Sequence, residues 1–297
     1  DAFFVFGNKP LILFYENPTD KLAIHKAVWN FNESPIVFIV EDDNLEIFNG
    51  FSFLKDKDSL EKIGSYEKIN DFGYFKLVTG STWEDYQAEL NKKNRVDYHL
   101  LENIKAAREY LKSIINDDSF RIVNALIGKI IFIRYLIDRE VKIGFKNEES
   151  RYWNTGDLIT ILSTRDQAID FFKHLQFKFN GDMFPLKDTD YELITQECLN
   201  IIIRLLNEED LGNGQLSLFK LYDFSIIPIE FVSNVYESFI GEKNQEKEGA
   251  YYTPLFLVDY ILSETVEKHF EKRYVYNCRV LDPACGSGIF LVETLRK

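Results

Sequence analysis

The chain has 297 residues, of which 45% are hydrophobic and 28% are charged. This composition is typical of a folded globular protein and excludes a long disordered chain. The 48 acidic side chains outnumber the 35 basic ones, so the formal net charge is −13. Proteins that hold DNA mainly through phosphate contacts are basic, so any DNA-binding role would need most of its contacts from elsewhere.

Length and apolar patterning predict several folded domains and no membrane span. The strongest apolar stretch, residues 125–137, is short and is interrupted by Lys129 and Arg134, so we predict a buried helix there. No basic segment followed by an apolar one opens the chain, which makes a cytoplasmic location the expectation. Reduced thiols fit the three cysteines, which have no CxxC spacing: Cys198, Cys278 and Cys285.

Residues 1–80 alternate β-rich runs with one helical pattern, which predicts a small α/β domain. Between the first two strands, apolar residues recur at helical spacing, and Thr19 or Asp20 can cap that helix. The turn composition of residues 42–44 predicts a hairpin between the last two strands. The predicted strands are Leu11–Tyr15, Ile36–Val40 and Leu45–Phe48.

Residues 81–248 predict a helical domain. Apolar residues recur at helical spacing in several stretches, namely 100–115, 125–137, 168–179, 193–205 and 231–239. Turn compositions separate some of these stretches, at 116–118, 147–150, 180–182 and 212–214. The segment 241–249 has no apolar residue and predicts a solvated linker.

The last part of the chain, residues 249–297, contains a glycine turn between a predicted strand and a predicted helix. Cys278–Leu281 predicts a short strand that ends at Asp282, and helical periodicity resumes at Ile289. Glycines in the turn let the backbone approach a ligand closely, and the next helix points its free amides and positive dipole end at that place. The pattern therefore predicts a site for a nucleoside with a polar tail.

Two phosphate-binding motifs do not fit this turn. A P-loop requires Lys-Ser or Lys-Thr after its last glycine, and neither pair follows Gly288. The dinucleotide fingerprint G-x-G-x-x-G also fails, because Leu291 stands three residues beyond Gly288.

The residues of the turn carry a resemblance to a known family. The run Asp282-Pro283-Ala284-Cys285-Gly286-Ser287-Gly288, with Phe290 behind it, resembles the cofactor-binding turn of the N6-adenine DNA methyltransferases of type I and type IIG restriction-modification systems. A Tyr-Thr-Pro stretch precedes that turn in the family, and Tyr252-Thr253-Pro254 resembles it. Residues 179–185 and 226–237 are similar to the helical segment that precedes the methyltransferase domain in type IIG enzymes.

The resemblance implies an α+β multidomain protein that ends in the start of a Rossmann-like methyltransferase domain, at residues 249–297. S-adenosylmethionine is the implied cofactor. Asp282 would orient the turn or bind the amino group of the cofactor, while the backbone of residues 284–288 would wrap its methionine part. The residues implied in cofactor binding are Tyr252, Thr253, Pro254, Asp282, Pro283, Ala284, Cys285, Gly286, Ser287, Gly288 and Phe290.

Two functional elements of the family are absent from this sequence. They are the acidic residue that holds the ribose and the Asn/Asp-Pro-Pro-Tyr/Phe box that holds the flipped adenine. No catalytic residue is therefore assigned, and the resemblance implies that this chain by itself does not transfer methyl groups. Double-stranded DNA is the implied partner of the complete enzyme, with a specificity subunit or domain. An endonuclease domain precedes this region in many fused enzymes, but residues 1–80 match no domain by their motifs.

Other chemistry-bearing residues favour structural interpretations. Glu140-Val141-Lys142 is a nuclease-like fragment without a flanking strand, so a charged helix end is the better interpretation. The histidines include no pair at metal-ligand spacing, and no metal site is predicted: His25, His99, His174 and His269. Two alternatives to a DNA methyltransferase stay open, namely an S-adenosylmethionine enzyme that acts on protein or RNA and a non-catalytic scaffold that binds a partner.

Overall fold

The computed structural model divides the chain into two compact units, Asp1–Pro228 and Ile229–Lys297. The residues that the structure describes are 1–6, 9–115, 120–146, 151–179, 184–207, 222–227, 253, 255–273, 277–283, 285 and 288–297. The predicted breaks between helices, the apolar stretch 231–239 and the predicted linker 241–249 lie outside these residues. The domain boundaries at residues 80 and 248 remain predictions.

The first unit contains a five-stranded sheet in the order β1-β2-β3-β4-β5, formed by Ala2–Phe6 (β1), Lys9–Glu16 (β2), Ile36–Glu41 (β3), Asn44–Leu54 (β4) and Ser59–Ser65 (β5). Strands β2 and β3 are parallel neighbours, whereas the other neighbours are antiparallel. Parallel neighbours need a crossover connection, and α1 (Lys21–Phe31) forms it. The three predicted strands, Leu11–Tyr15, Ile36–Val40 and Leu45–Phe48, are confirmed, because they lie within β2, β3 and β4.

Local side chains explain where α1 begins and where the hairpin turns. The Asp20 side chain accepts a hydrogen bond from the Ala23 amide at 2.9 Å, so Asp20 is the N-cap. Strands β3 and β4 form the predicted hairpin. Its two-residue turn includes Asp42, whose φ of 52° lies in the left-handed region that such turns require. Both predictions are therefore confirmed.

The sheet is covered on both faces. Ile47 packs in a cluster with Phe72 and Leu77, which belong to the short helices that follow β5. The ring of Phe48, the next residue of β4, contacts the His25 ring of α1 at a centroid distance of 4.6 Å. Consecutive side chains of a strand point to opposite faces, so α1 covers one face and the short helices the other. These helices are a 3₁₀ helix (Tyr66–Phe72), α2 (Tyr74–Thr79) and α3 (Ser81–Asp85).

Most of the described residues that follow in the first unit are helical, as predicted. The helices are α4 (Val96–Ile115), α5 (Arg121–Asp138), α6 (Thr155–Leu162), α7 (Arg165–Lys178), α8 (Asp188–Tyr191) and α9 (Gln196–Asn207), after a 3₁₀ turn (Lys92–Asn94). Buried residues recur at helical spacing along α4, and α5 is buried on nearly all sides. Within α5, Arg134 lies 3.0 Å from Asp138 one turn later, and burial raises the pKa of Asp138 against the effect of the arginine.

Residues 222–227, here called the anchor segment, connect the sheet region to the helices. The Tyr222 ring stacks on the Trp29 ring of α1 at a centroid distance of 5.7 Å. Its hydroxyl accepts a hydrogen bond from the Asn103 side chain of α4 at 2.7 Å. Burial raises the pKa of the Tyr222 phenol, which therefore stays neutral. One buried side chain thus contacts both parts of the first unit.

The backbone of the anchor segment is held as well. The Asp223 amide donates to the Asn30 side chain of α1 at 2.9 Å, and the Phe224 amide donates to Asp138 at 3.1 Å. The Arg139 guanidinium donates to the carbonyls of Phe224 and Ile227, each at 3.1 Å. Buried backbone groups need such partners, so these side chains place the segment in one conformation.

The α+β class of the chain is confirmed by the sheet and these helices. Among the residues described, no helix is both long and apolar enough to cross a membrane.

Replacing Gly128 with alanine is expected to destabilise the first unit. An added Cβ would lie 2.3 Å from ring atoms of Phe184, a buried side chain that is 4% exposed. Overpacking of this kind costs about 1–3 kcal/mol, more than the gain in helix propensity. Chemical denaturation of Gly128→Ala, Phe184→Leu and the double variant measures the clash. A double variant no more stable than the sum of the two single changes would contradict this explanation.

Tyr222→Phe is expected to lower the free energy of unfolding by about 1–3 kcal/mol, because it leaves the buried Asn103 amide without its acceptor. Urea denaturation provides the measurement. The matched control is Tyr98→Phe, since Tyr98 belongs to α4, as Asn103 does, but is 42% exposed. Equal stability of the two variants would show that the anchor segment contributes nothing through this hydrogen bond.

Candidate functional site

The second unit is built around a short apolar core between helices. Val258, Leu262 and Val266 are buried there, and Ile289 and Phe290 pack against them. These residues come from α10 (Leu255–Leu262), a π-helical turn (Ser263–Glu267) and α12 (Ile289–Arg296), and α11 (Lys268–Arg273) continues the turn. Two apolar residues of α10, Leu257 and Ile261, are 39% and 36% exposed, so only part of this helix faces the core.

The glycine turn ends at the start of α12. Gly288 is the N-cap of this helix and has a φ of 79°, a backbone conformation that residues with a Cβ rarely adopt. Its amide donates to the Cys285 carbonyl at 2.7 Å, and its own carbonyl accepts from the Val292 amide at 3.0 Å. The glycine therefore closes a tight turn and starts the helix at once.

Open space surrounds the turn at Gly288. A Cβ added at this position would have no atom within 4 Å, so packing does not explain the glycine. The first amides of any helix lack partners within that helix, and the positive end of its dipole lies there. At the start of α12 these amides belong to Ile289, Phe290 and Leu291. The turn thus presents backbone donors beside accessible space, which suits a ligand with a carboxylate or another acceptor group.

The prediction of a strand at Cys278–Leu281 is wrong. Residues 277–282 belong to neither a strand nor a helix. A strand needs a neighbour for its backbone hydrogen bonds, and the described residues of the second unit include no other strand. Leu281 is accordingly 86% exposed, although leucine side chains are usually buried.

The structure places only some of the site residues that the sequence predicts. Thr253 and Asp282 are half-buried, Pro283 and Cys285 are exposed, and the half-buried Phe290 packs against the core of the unit. Cys285 and Gly288 are brought together by their hydrogen bond. The other predicted residues lie outside the described part of the chain: Tyr252, Pro254, Ala284, Gly286 and Ser287.

Sequence patterns missed an ion-pair cluster that holds the end of α12. The Lys297 ammonium lies 2.9 Å from Asp259 of α10 and 2.9 Å from Glu267 of the π-helical turn. Both carboxylates raise the pKa of Lys297, so the lysine stays charged. Helical spacing identifies neighbours on one helix but gives no information on partners from another helix. In the part of the chain that the structure describes, no group of three or more His, Cys, Asp or Glu side chains could hold a metal ion.

Comparison with known proteins finds a family match over the residues of this second unit. Residues 228–297 match the N-6 DNA Methylase family, which confirms the resemblance predicted from the glycine turn. One similar protein is the type II restriction enzyme and methyltransferase RM.Eco57I of Escherichia coli, to which this chain is 24% identical over 271 residues. The alignment covers 80% of this chain and 25% of that protein, so the chain spans about a quarter of the relative's length. No solved structure matches the chain.

Gly288→Ala is expected to weaken the start of α12, because alanine in the left-handed region costs about 1–2 kcal/mol. Hydrogen exchange at the Val292 amide, which bonds to the Gly288 carbonyl, should become roughly fivefold to thirtyfold faster. Glu271→Ala on the exposed surface of α11 is the control and should leave this rate unchanged. An unchanged rate in Gly288→Ala would mean that the left-handed conformation is not needed.

Proposed function

We propose that this chain is the N-terminal part of an S-adenosylmethionine-dependent DNA adenine-N6 methyltransferase of a restriction-modification system. One observation carries the proposal: the Asp282–Gly288 run leads into a left-handed Gly288 that starts a helix, inside the segment that matches the N-6 DNA Methylase family. Family and geometry thus point to the same short segment.

The residues of the turn fit the amino-acid end of S-adenosylmethionine. Free amides at the start of α12 suit its carboxylate, and the Asp282 carboxylate suits its amino group. Thr253 and Pro254, with Tyr252, would border the same end of the cofactor, and the backbone of residues 284–287 would wrap it. When bound, the cofactor supplies an electrophilic methyl group. This chain contributes binding and orientation, because the adenine-holding box is absent from its sequence.

The rest of the chain would support the catalytic domain rather than carry out the chemistry. We propose a small α/β domain at residues 1–80, a helical domain at 81–248 and the start of a Rossmann-like methyltransferase domain at 249–297. The relative's name combines a restriction enzyme with a methyltransferase, which favours a complete protein that also cleaves DNA. With a net charge of −13, the chain would leave most DNA contacts to other regions, such as a specificity domain or subunit. The cytoplasm, where the cell's own DNA is accessible, is the proposed location.

The complete protein is expected to bind S-adenosylmethionine and to convert adenine in duplex DNA to N6-methyladenine. Calorimetry measures the first property, and radiolabelled methyl transfer followed by nucleoside analysis measures the second. Gly288→Val should weaken cofactor binding at least about tenfold, because the branched side chain opposes the left-handed turn and fills the open space beside it. Glu271→Ala is the control.

The outcomes separate the proposal from its alternatives. Cofactor binding with methylation of protein or RNA in place of DNA would favour the first alternative, and absence of cofactor binding would leave only a scaffold. The 297-residue chain alone is expected to bind the cofactor at least about 100-fold more weakly than the complete protein. The reason is that the unit leaves large apolar side chains uncovered, with Leu281 86% and Leu295 89% exposed.

A further inference from the structure

A cleft lies on the face of the sheet that α1 covers, far along the chain from the glycine turn. Its volume is about 730 Å³, which is within the range of small-molecule sites. Lys21 and His25 of α1 border it, with Phe48 of β4 and Leu60 of β5, and Lys57 contributes from the turn between the two strands. Neither the sheet nor the methylase family assigns a role to this cleft.

His25 forms part of the cleft and has an unused hydrogen-bond donor. The residue is only 3% exposed, and its Nδ1 accepts a hydrogen bond from the Leu60 amide at 2.9 Å. The proton of the neutral ring therefore sits on Nε2. Burial lowers the pKa of His25, with help from Lys21, so the ring stays neutral near pH 7. Within the described residues Nε2 has no hydrogen-bond partner, an uncommon state for a buried polar atom.

Most charges around the cleft neutralise one another. The Lys21 ammonium lies 2.5 Å from both Glu41 and Glu46, and Lys62 lies 2.7 Å from Glu46. The Glu61 carboxylate also borders the cleft, 3.5 Å from the Asn49 side-chain amide. The Asp58 carboxylate borders the cleft next to Lys57 and lies 3.3 Å from the Lys26 ammonium. Charges of both signs therefore line the cleft, and most of them are paired.

Lys57 differs from the other cations of the cleft. It is exposed, and no carboxylate in the described part of the chain forms an ion pair with it. Among the side-chain donors of the cleft, the buried N–H of His25 and the Lys57 ammonium are thus two that no described residue engages. Both favour a ligand with acceptor atoms and a negative charge.

The apolar surface between these two groups suits a flat ring. Phe48 is 5% exposed, its ring meets the His25 ring at 64°, and the Lys21 ammonium lies 5.7 Å from the Phe48 ring centroid. Leu22, at the mouth of the cleft, is 43% exposed and can cover one side of a ring. Planar heteroaromatic ligands use this combination of apolar contact and edge hydrogen bonds.

We propose that this cleft binds a planar heteroaromatic ligand with an anionic group, of the nucleoside monophosphate class. A ring nitrogen of the ligand accepts a hydrogen bond from His25 Nε2, and the phosphate lies beside Lys57. Because Nε2 is inaccessible to solvent in the free protein, binding requires a local side-chain movement that uncovers it. The site lies in the first unit, outside residues 228–297, so it does not depend on the proposed methyltransferase activity.

The test titrates the 297-residue chain with adenosine 5′-monophosphate, adenosine and inorganic phosphate. Calorimetry gives the affinities, and the imidazole ¹H–¹⁵N signal of His25 reports contact at Nε2. The monophosphate is expected to bind at least about tenfold more tightly than adenosine or phosphate alone and to shift the His25 signal. No binding at millimolar concentration, equal affinity for phosphate alone, or an unmoved His25 signal would each overturn the proposal.

Variants separate the two contacts from general effects on folding. His25→Asn keeps an acceptor for the Leu60 amide but lacks the Nε2 donor, and Lys57→Gln removes the exposed charge. Each should weaken monophosphate binding about fivefold to tenfold while the thermal unfolding midpoint of Lys57→Gln stays unchanged. Lys55→Gln is the matched control, because Lys55 is an exposed lysine of the same turn that does not border the cleft. Equal weakening by Lys55→Gln would reduce the effect to net charge and contradict the site.

Discussion

The contacts of Tyr222 are the constraint on which the architecture of the first unit depends. One side chain stacks on Trp29 beside the sheet and accepts a hydrogen bond from Asn103 of the helical region. Tyr222 lies 119 positions after Asn103 and further still from Trp29, so the three residues meet only when the whole unit has folded. The loss of conformational entropy on bringing them together is offset by burial of two large rings and by the satisfied hydrogen bond.

Charged side chains extend this constraint to the backbone of the anchor segment. Asp138 accepts from the Phe224 amide while it pairs with Arg134, and Arg139 donates to two carbonyls of the same segment. A buried carboxylate is tolerated because an opposite charge and a backbone donor both face it. The residues at the end of α5 thereby hold the anchor segment against the helical region of the first unit.

The two proposed sites rest on different features of the chain. The site proposed in the second unit is the glycine turn, where the backbone of Gly288 and the first amides of α12, rather than a reactive side chain, would contact a ligand. The first unit contains the cleft at His25, where a buried imidazole donor and an exposed cation border an apolar surface. A backbone site depends on conformation and a side-chain site depends on packing, so substitutions affect the two sites in different ways.

The sequence by itself determined most of the local structure and a resemblance to one family. Alternation and helical spacing predicted the central strands and the long helices, Asp20 was among the predicted caps, and the Asp282–Gly288 run lies in the segment that matches the N-6 DNA Methylase family. Tertiary structure alone decided the rest. The predicted strand at Cys278–Leu281 has no neighbour to pair with, and the partners of Tyr222, His25 and Lys297 come from distant segments. Periodicity reports which face of an element is apolar, but it does not report what that face meets, because contacts between elements depend on how the chain folds back on itself.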